Sequence, residues 1–245
     1  MASPLGTGGY LTIQTDDQGS SIKVHIAEPP GISADHLTLS TWGASFILAN
    51  HLHKISIPSS DSANPSRVLE LGAGTGLTGL SAAAIWKMNT ILTDFSAIVP
   101  ALAANIALNE SILKQAGITV EAGSLDWTDP ASIALSIGGD APPRQMEHSS
   151  RNLAQVIVAA DVIYDEEHPE LLVSTITRWL APGSSSRVIF CYPLRMAYMD
   201  HIRDFWERMG AAGLECCEEG KEDANEDWSE VADTPYEWCI WRWKG

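Results

Sequence analysis

Basic side chains are scarce in this chain: 15 lysines and arginines stand against 31 aspartates and glutamates, a formal net charge of −16 over 245 residues. Such a surface repels nucleic-acid phosphates, so no nucleic-acid partner is expected; it favours a basic partner or simply keeps the protein dissolved. Long apolar runs are also lacking. None reaches the roughly 20 residues that span a bilayer, so no membrane partner is expected. The opening stretch MASPLGTGGYLTIQTDDQG has neither a basic start nor an apolar core, so no secretory leader is visible and the sequon at Asn109 carries no meaning. Cysteine is limited to Cys191, Cys216, Cys217 and Cys239, with no CxxC pair and no histidine at zinc spacing. That argues against a structural metal and fits a reducing, cytoplasmic compartment. His51 and His53 sit two apart on a predicted helix and point to different faces, so no metal site is expected.

What is present is a regular alternation of short apolar runs and helical periodicities. YLTIQ (10–14) and SIKVHIA (21–27) read as a hairpin around TDDQGS, and the periodicity predicts a helix over 38–55 with Ser40 or Thr41 as its cap. A polar, proline-bearing loop (56–66) follows. We therefore expect residues 1–60 to form a hairpin and helix packed on a main domain of residues 61–245. In that domain RVLEL (67–71), TILTD (90–94), ITVEAGSLDW (118–127), AQVIVAADVIY (154–164) and SRVIFCY (186–192) supply strands. Helices over 77–88, 98–110 and 169–180 fall between them, and another follows over 195–210. The expected fold is α/β, doubly wound around a mostly parallel sheet. LECCEE (214–219) and YEWCIWRW (236–243) read as a terminal antiparallel pair, 138–152 as a mobile insertion, and 215–233 as a solvated acidic loop that could dock a basic surface.

The turn LELGAGTG sets Gly72, Gly74 and Gly76 between a strand and a helix. Glycine tolerates positive φ and lets backbone approach a ligand, and N–H groups at the helix start hold polar ligand atoms. In doubly wound sheets this edge is where ligands bind. Gly74, Gly76 and Gly79 also satisfy the dinucleotide pattern GxGxxG, with Asp94 placed to take ribose hydroxyls in either case. Glu70, in the strand leading into the turn, favours a nucleoside with a cationic group over NAD, because its charge would repel a pyrophosphate.

ELGAGTG followed by TD resembles the seven-stranded, class I methyltransferases that use S-adenosylmethionine. With Trp42-Gly43-Ala44 upstream, Leu125-Asp126-Trp127 after the third strand and Asp161-Val162-Ile163-Tyr164 after the fourth, residues 37 to 195 resemble the methyltransferase-like protein-lysine methyltransferases. The resemblance implies S-adenosylmethionine as cofactor, bound by Trp42, Glu70, Gly72, Ala73, Gly74, Gly76, Asp94, Asp126, Trp127 and Ala160. It implies a protein acceptor with an accessible lysine, a translation elongation factor being the first to consider, and we expect a monomer. The competing reading of Asp94 is a cap on the next helix, and of Trp42 and Trp127 packing residues.

Methyl transfer to an amine needs in-line attack by a lone pair, with the reacting atoms held about 3–3.5 Å apart. A lysine with a reference pKa of about 10.4 must first lose its proton. A nearby carboxylate raises that pKa, so Asp161 is expected to orient the acceptor rather than act as a base. Tyr164 is expected to wall the lysine channel, with cation–π attraction during approach, and Ala160 to leave room for the cofactor. Other readings are a small-molecule N- or O-methyltransferase, an NAD-linked oxidoreductase and a non-catalytic cofactor-binding module.

Overall fold

The computed structural model describes residues 8–34, 37–59, 66–139, 141–223 and 234–245. The chain begins with a hairpin of β1 (Gly9–Gln14) and β2 (Ser21–Ile26) and a two-residue pair, β3 (Ser33–Ala34) and β4 (Leu37–Thr38). Helix α1 (Gly43–His51) follows, then β5 (Arg67–Leu71), α2 (Leu77–Trp86), β6 (Asn89–Asp94), α3 (Val99–Leu108), α4 (Glu110–Ala116) and β7 (Val120–Ser124). Next come β8 (Ser132–Leu135), β9 (Arg144–Glu147), β10 (Val156–Ala160), α5 (His168–Trp179), β11 (Arg187–Pro193), α6 (Met199–Ala211), β12 (Leu214–Glu222) and β13 (Tyr236–Trp243).

The main sheet runs β12-β13-β11-β10-β5-β6-β7-β8-β9. Its centre, from β11 to β7, is parallel, and β13 and β12 close one edge antiparallel, so the expected doubly wound sheet and terminal pair are both present. Central strands are buried on both faces, which is why they read as unbroken apolar runs. In β5, Leu69 and Leu71 face the layer that contains α5 and α6, while Val68 faces α1. Helix α1 buries Ala44, Ile47 and Leu48 in the same cluster as Val156, Val158 and Ile189, so the N-terminal segment shares the core of the central sheet.

The sheet carries two strands beyond the expected seven. β8 and β9 extend the β7 edge as an antiparallel hairpin, so part of the expected mobile insertion is strand. Ile133, Leu135 and Met146 hold it by burying their side chains in the core. Helix α1 starts at Gly43, not near 38, and the residue in the cap position is Trp42. Neither Ser40 nor Thr41 caps it. The Thr41 N–H donates to Glu28 Oε1 at 2.7 Å and its hydroxyl meets the Thr75 hydroxyl at 2.9 Å, which holds this segment extended beside the glycine turn. The helix expected over 98–110 breaks at Asn109 into α3 and α4. β12 runs to Glu222, so the first part of the expected acidic loop is strand, and positions 224–233 lie outside the described residues.

Among the described residues the first hairpin pairs with no strand of the main sheet. Its open edge is met by two side-chain amides of the α3 region. Asn105 bonds the N–H and C=O of Ala27, and Asn109 does the same for His25, all at 2.7–3.1 Å. Two buried asparagines thus act as a strand partner, which satisfies backbone groups that burial would otherwise leave unpaired. Among the described residues no helix is long and apolar enough to cross a membrane.

Candidate active site

The ends of β5, β6, β7 and β10 and the segments following them form a cavity of about 430 Å³ at the carboxyl edge of the sheet. After β5 the chain turns through Gly72 at φ +63° and Gly74 at φ +54°, a region that costs little only for glycine. A Cβ on Gly72 would stand 2.6 Å from a methyl of Val162 and 3.6 Å from the Trp127 ring, so this position also needs the space. The Ala73 N–H donates to the Thr93 carbonyl at 2.9 Å and locks the turn to β6.

Asp94 ends β6. Its Oδ2 accepts the Gly74 N–H and its Oδ1 accepts the Phe95 N–H, each at 2.7 Å. Burial pushes its carboxyl above the ordinary value, against the pull of those two donors. Each oxygen keeps a further lone pair, so the group remains an acceptor toward the cavity it lines.

Asp126 and Trp127 follow β7. Asp126 is exposed, and its Oδ1 accepts the N–H and O–H of Thr128 at 2.8 and 2.6 Å, which holds the carboxyl below its ordinary value. Trp127 meets His168 edge-on with ring centroids 5.6 Å apart, and His168 in turn meets Tyr164 edge-on at 4.4 Å. All three rings line the cavity.

β10 ends at Ala160, and Asp161 then adopts φ +59°, a left-handed conformation that aspartate enters more readily than most residues. Its N–H donates to the Cys191 carbonyl at 2.9 Å, which fixes the kink on β11. The kink buries Val162 and Ile163 in the core and leaves Asp161 and Tyr164 on the cavity. Arg195, two residues past β11, donates from Nη1 to Oδ1 and from Nη2 to Oδ2 of Asp161 at 3.2 and 3.1 Å. The side chains of this pair are only 21% and 7% exposed for Arg195 and Asp161 respectively.

Of the residues singled out from the sequence, Trp42, Gly72, Gly74, Asp94, Asp126, Trp127, Ala160, Asp161 and Tyr164 all line this one cavity. The structure places three others behind it. Glu70 is buried beneath the first turn of α2, where its Oε2 accepts the Gly79 N–H at 3.0 Å. Burial raises its carboxyl to about 8. Ala73 is buried in the cluster under α2 and α3, and Gly76 occupies the cap position of α2. Gly79, the third glycine of the dinucleotide pattern, has a packing reason of its own: a Cβ there would collide with Leu92 and the Glu70 carboxylate.

His168 and Arg195 were not singled out from the sequence, yet both line the cavity. Arg195 had one available signal, its place just past the carboxyl end of a strand. His168 had only its position four residues after Tyr164. Among the described residues, no group of three or more histidines, cysteines, aspartates or glutamates is arranged to hold a metal ion.

Comparison with known proteins gives the chain its relatives. The family model described as lysine methyltransferase matches residues 32–210, well over half of the chain. The protein-lysine N-methyltransferase EFM2 of Saccharomyces cerevisiae is 31% identical over 228 residues, which cover 86% of this chain and 49% of that protein. The protein-lysine N-methyltransferase rrg1 of Schizosaccharomyces pombe is 30% identical over 220 residues, covering 90% of this chain and 67% of that one. The chain thus spans about half the length of the first relative and two thirds of the second. Among solved structures, TYW2 of M. jannaschii in complex with AdoMet superposes with a TM-score of 0.53 at 12% identity, over 97% of this chain and 87% of that one. A methyltransferase from Pyrococcus furiosus superposes with a TM-score of 0.52 at 17% identity, over 81% and 82%. At such identities the superpositions establish the fold alone.

Proposed function

Because the chain belongs to the lysine methyltransferase family, we propose that it binds S-adenosylmethionine in this cavity and transfers a methyl group to a lysine side chain of another protein. The observation that carries the proposal is the convergence of Gly72, Asp94, Trp127, Asp161 and Tyr164 on one cavity.

The residues present suit this cofactor. Asp94 is a pure acceptor held by two backbone donors, which fits the paired hydroxyls of a ribose. Gly72 brings bare backbone to the cavity wall, and Trp127 offers an apolar ring against a purine. Trp42 and Ala160 complete the walls, Asp126 borders Trp127, and Gly74 supplies a backbone edge. Glu70, Ala73 and Gly76 serve by holding the turn. When bound, S-adenosylmethionine supplies a methyl group on a cationic sulfur, open to an amine lone pair.

The chain's own residues then do three things. Asp161 and Tyr164 orient the acceptor: the kink at Asp161 presents a carboxylate to the cavity, and the Tyr164 ring forms an aromatic wall along which a long alkyl-ammonium side chain can lie. The edge-to-face series Trp127, His168 and Tyr164 stiffens that wall. Apolar side chains such as Ile98, Leu125 and Val162 limit water around the reacting atoms.

Incubating the purified protein with methyl-labelled S-adenosylmethionine and a cell extract tests the proposal. Label in a protein band that maps to lysine supports it, and label confined to small molecules overturns it. A translation elongation factor, suggested by family resemblance, is the first acceptor to assay in pure form.

A further inference from the structure

Arg195 is the only lysine or arginine among the described residues that line the cavity. Among the described residues, the other ionisable groups facing this space are the carboxylates of Asp94, Asp126 and Asp161, the imidazole of His168, and the phenols of Tyr164 and Tyr198. Both terminal nitrogens of Arg195 go to the two oxygens of Asp161, and its guanidinium carbon lies 5.7 Å from the centre of the Tyr198 ring.

The arrangement bears on a conflict in the reaction. A carboxylate that orients an ammonium group also stabilises its charge and so keeps its proton on, whereas the nucleophile is the neutral amine. A guanidinium forked onto that carboxylate reverses the balance: it cancels the negative charge, repels a second cation, and stays charged at any working pH. The pair is mostly shielded from solvent, so water screens this effect far less than at an exposed site.

We propose that Arg195 is a positioning residue that acts through Asp161, neutralising its charge so that the bound lysine sheds its proton to solvent and presents a lone pair. Asp161 then directs the acceptor through its remaining lone pairs without holding the ammonium form. The inference rests on the lysine methyltransferase reading above.

The test is the pH dependence of methyl transfer with enzyme saturating and in excess over acceptor, so that the rate constant reports the bound complex. The acceptor is the extract protein most strongly labelled by the wild type. Arg195→Gln should move the rising acid limb up by about one pH unit, which is about fivefold slower transfer at the wild-type midpoint and about tenfold well below it. Arg195→Lys, which keeps the charge, should hold the limb near the wild-type position. The double variant Asp161→Asn with Arg195→Gln should bring it back, whatever its plateau. Independently of activity, the Asp161 carboxyl carbon, assigned by its loss in Asp161→Asn, should titrate at higher pH in Arg195→Gln than in the wild type by NMR.

A plateau lowered at every pH with the limb unmoved would overturn the proposal and make Arg195 a structural brace. Faster transfer in Arg195→Gln would overturn it in favour of an inhibitory latch. If the wild type labels no lysine at all, the functional reading falls and this inference with it; a labelled lysine with an unmoved limb defeats the inference alone.

Discussion

The backbone N–H of Gly74 donates to Oδ2 of Asp94 across 2.7 Å, so the glycine turn after β5 and the end of β6 are held as one unit. The partner oxygen takes the Phe95 N–H at the same distance. Asp94→Asn therefore replaces one of two acceptors with an amide donor that must face an N–H. Hydrogen bonds to a charged group contribute about 1.5–3 kcal/mol, so we expect Asp94→Asn and Asp94→Ala to weaken S-adenosylhomocysteine binding by about ten- to a hundredfold. Calorimetry gives the answer, and an unchanged affinity would remove Asp94 from the cofactor site.

Gly72 faces two demands at once, a positive φ and the approach of Val162. Gly72→Ala violates both, whereas Gly183→Ala violates only the first, because nothing stands near its Cβ position. The strain of a left-handed non-glycine residue is about 1–3 kcal/mol. Both variants should melt at lower temperature, but only Gly72→Ala should also lose cofactor affinity. Equal affinity in the two would show that the turn does not touch the ligand.

How far the sequence revealed all this varies with the kind of feature. β5 and β13 fall on the residues their apolar runs suggested, because a strand's extent is a local property. The cavity residues at strand ends were legible because strand order and chain order together fix which ends converge. Glu70 shows where that stops. Its place in β5 was clear, but a strand buried on both faces carries no alternation to say which way a side chain points. It proved to face α2 rather than the cavity. Arg195 meets Asp161 only through tertiary closure, His168 meets Tyr164 across four residues that no periodicity marks, and β8 with β9 was hidden because three inward side chains make a faint pattern.

Tyr164 lies edge-on to His168, which also meets Trp127 edge-on. If the ring is what walls the channel, Tyr164→Phe keeps most of the function, while Tyr164→Ala opens the wall. We expect Tyr164→Ala to slow single-turnover methyl transfer at least tenfold with cofactor affinity within about twofold of the wild type, and Tyr164→Phe to stay within about fivefold. A matched loss in both variants would assign the role to the hydroxyl instead.

Glu70 makes stability depend on pH in a direction opposite to that of most carboxylates. Burial is the main cause of its rise from 4.5 to about 8, with the nearby charge of Asp94 adding to it and the Gly79 N–H opposing. Between those two values the folded protein keeps the proton while the unfolded chain has lost it. Folding thus binds a proton, and stability falls as pH rises through this window, levelling off above it. Glu70→Gln does not titrate, and its amide oxygen can still accept from Gly79. Other groups titrate too, but they are common to both proteins. The difference in melting temperature between Glu70→Gln and the wild type should therefore shift in favour of the variant by several degrees as pH goes from about 5 to about 8.5. A difference that stays flat over that range would mean Glu70 is ionised in the folded protein at neutral pH, with the N–H of Gly79 outweighing its burial.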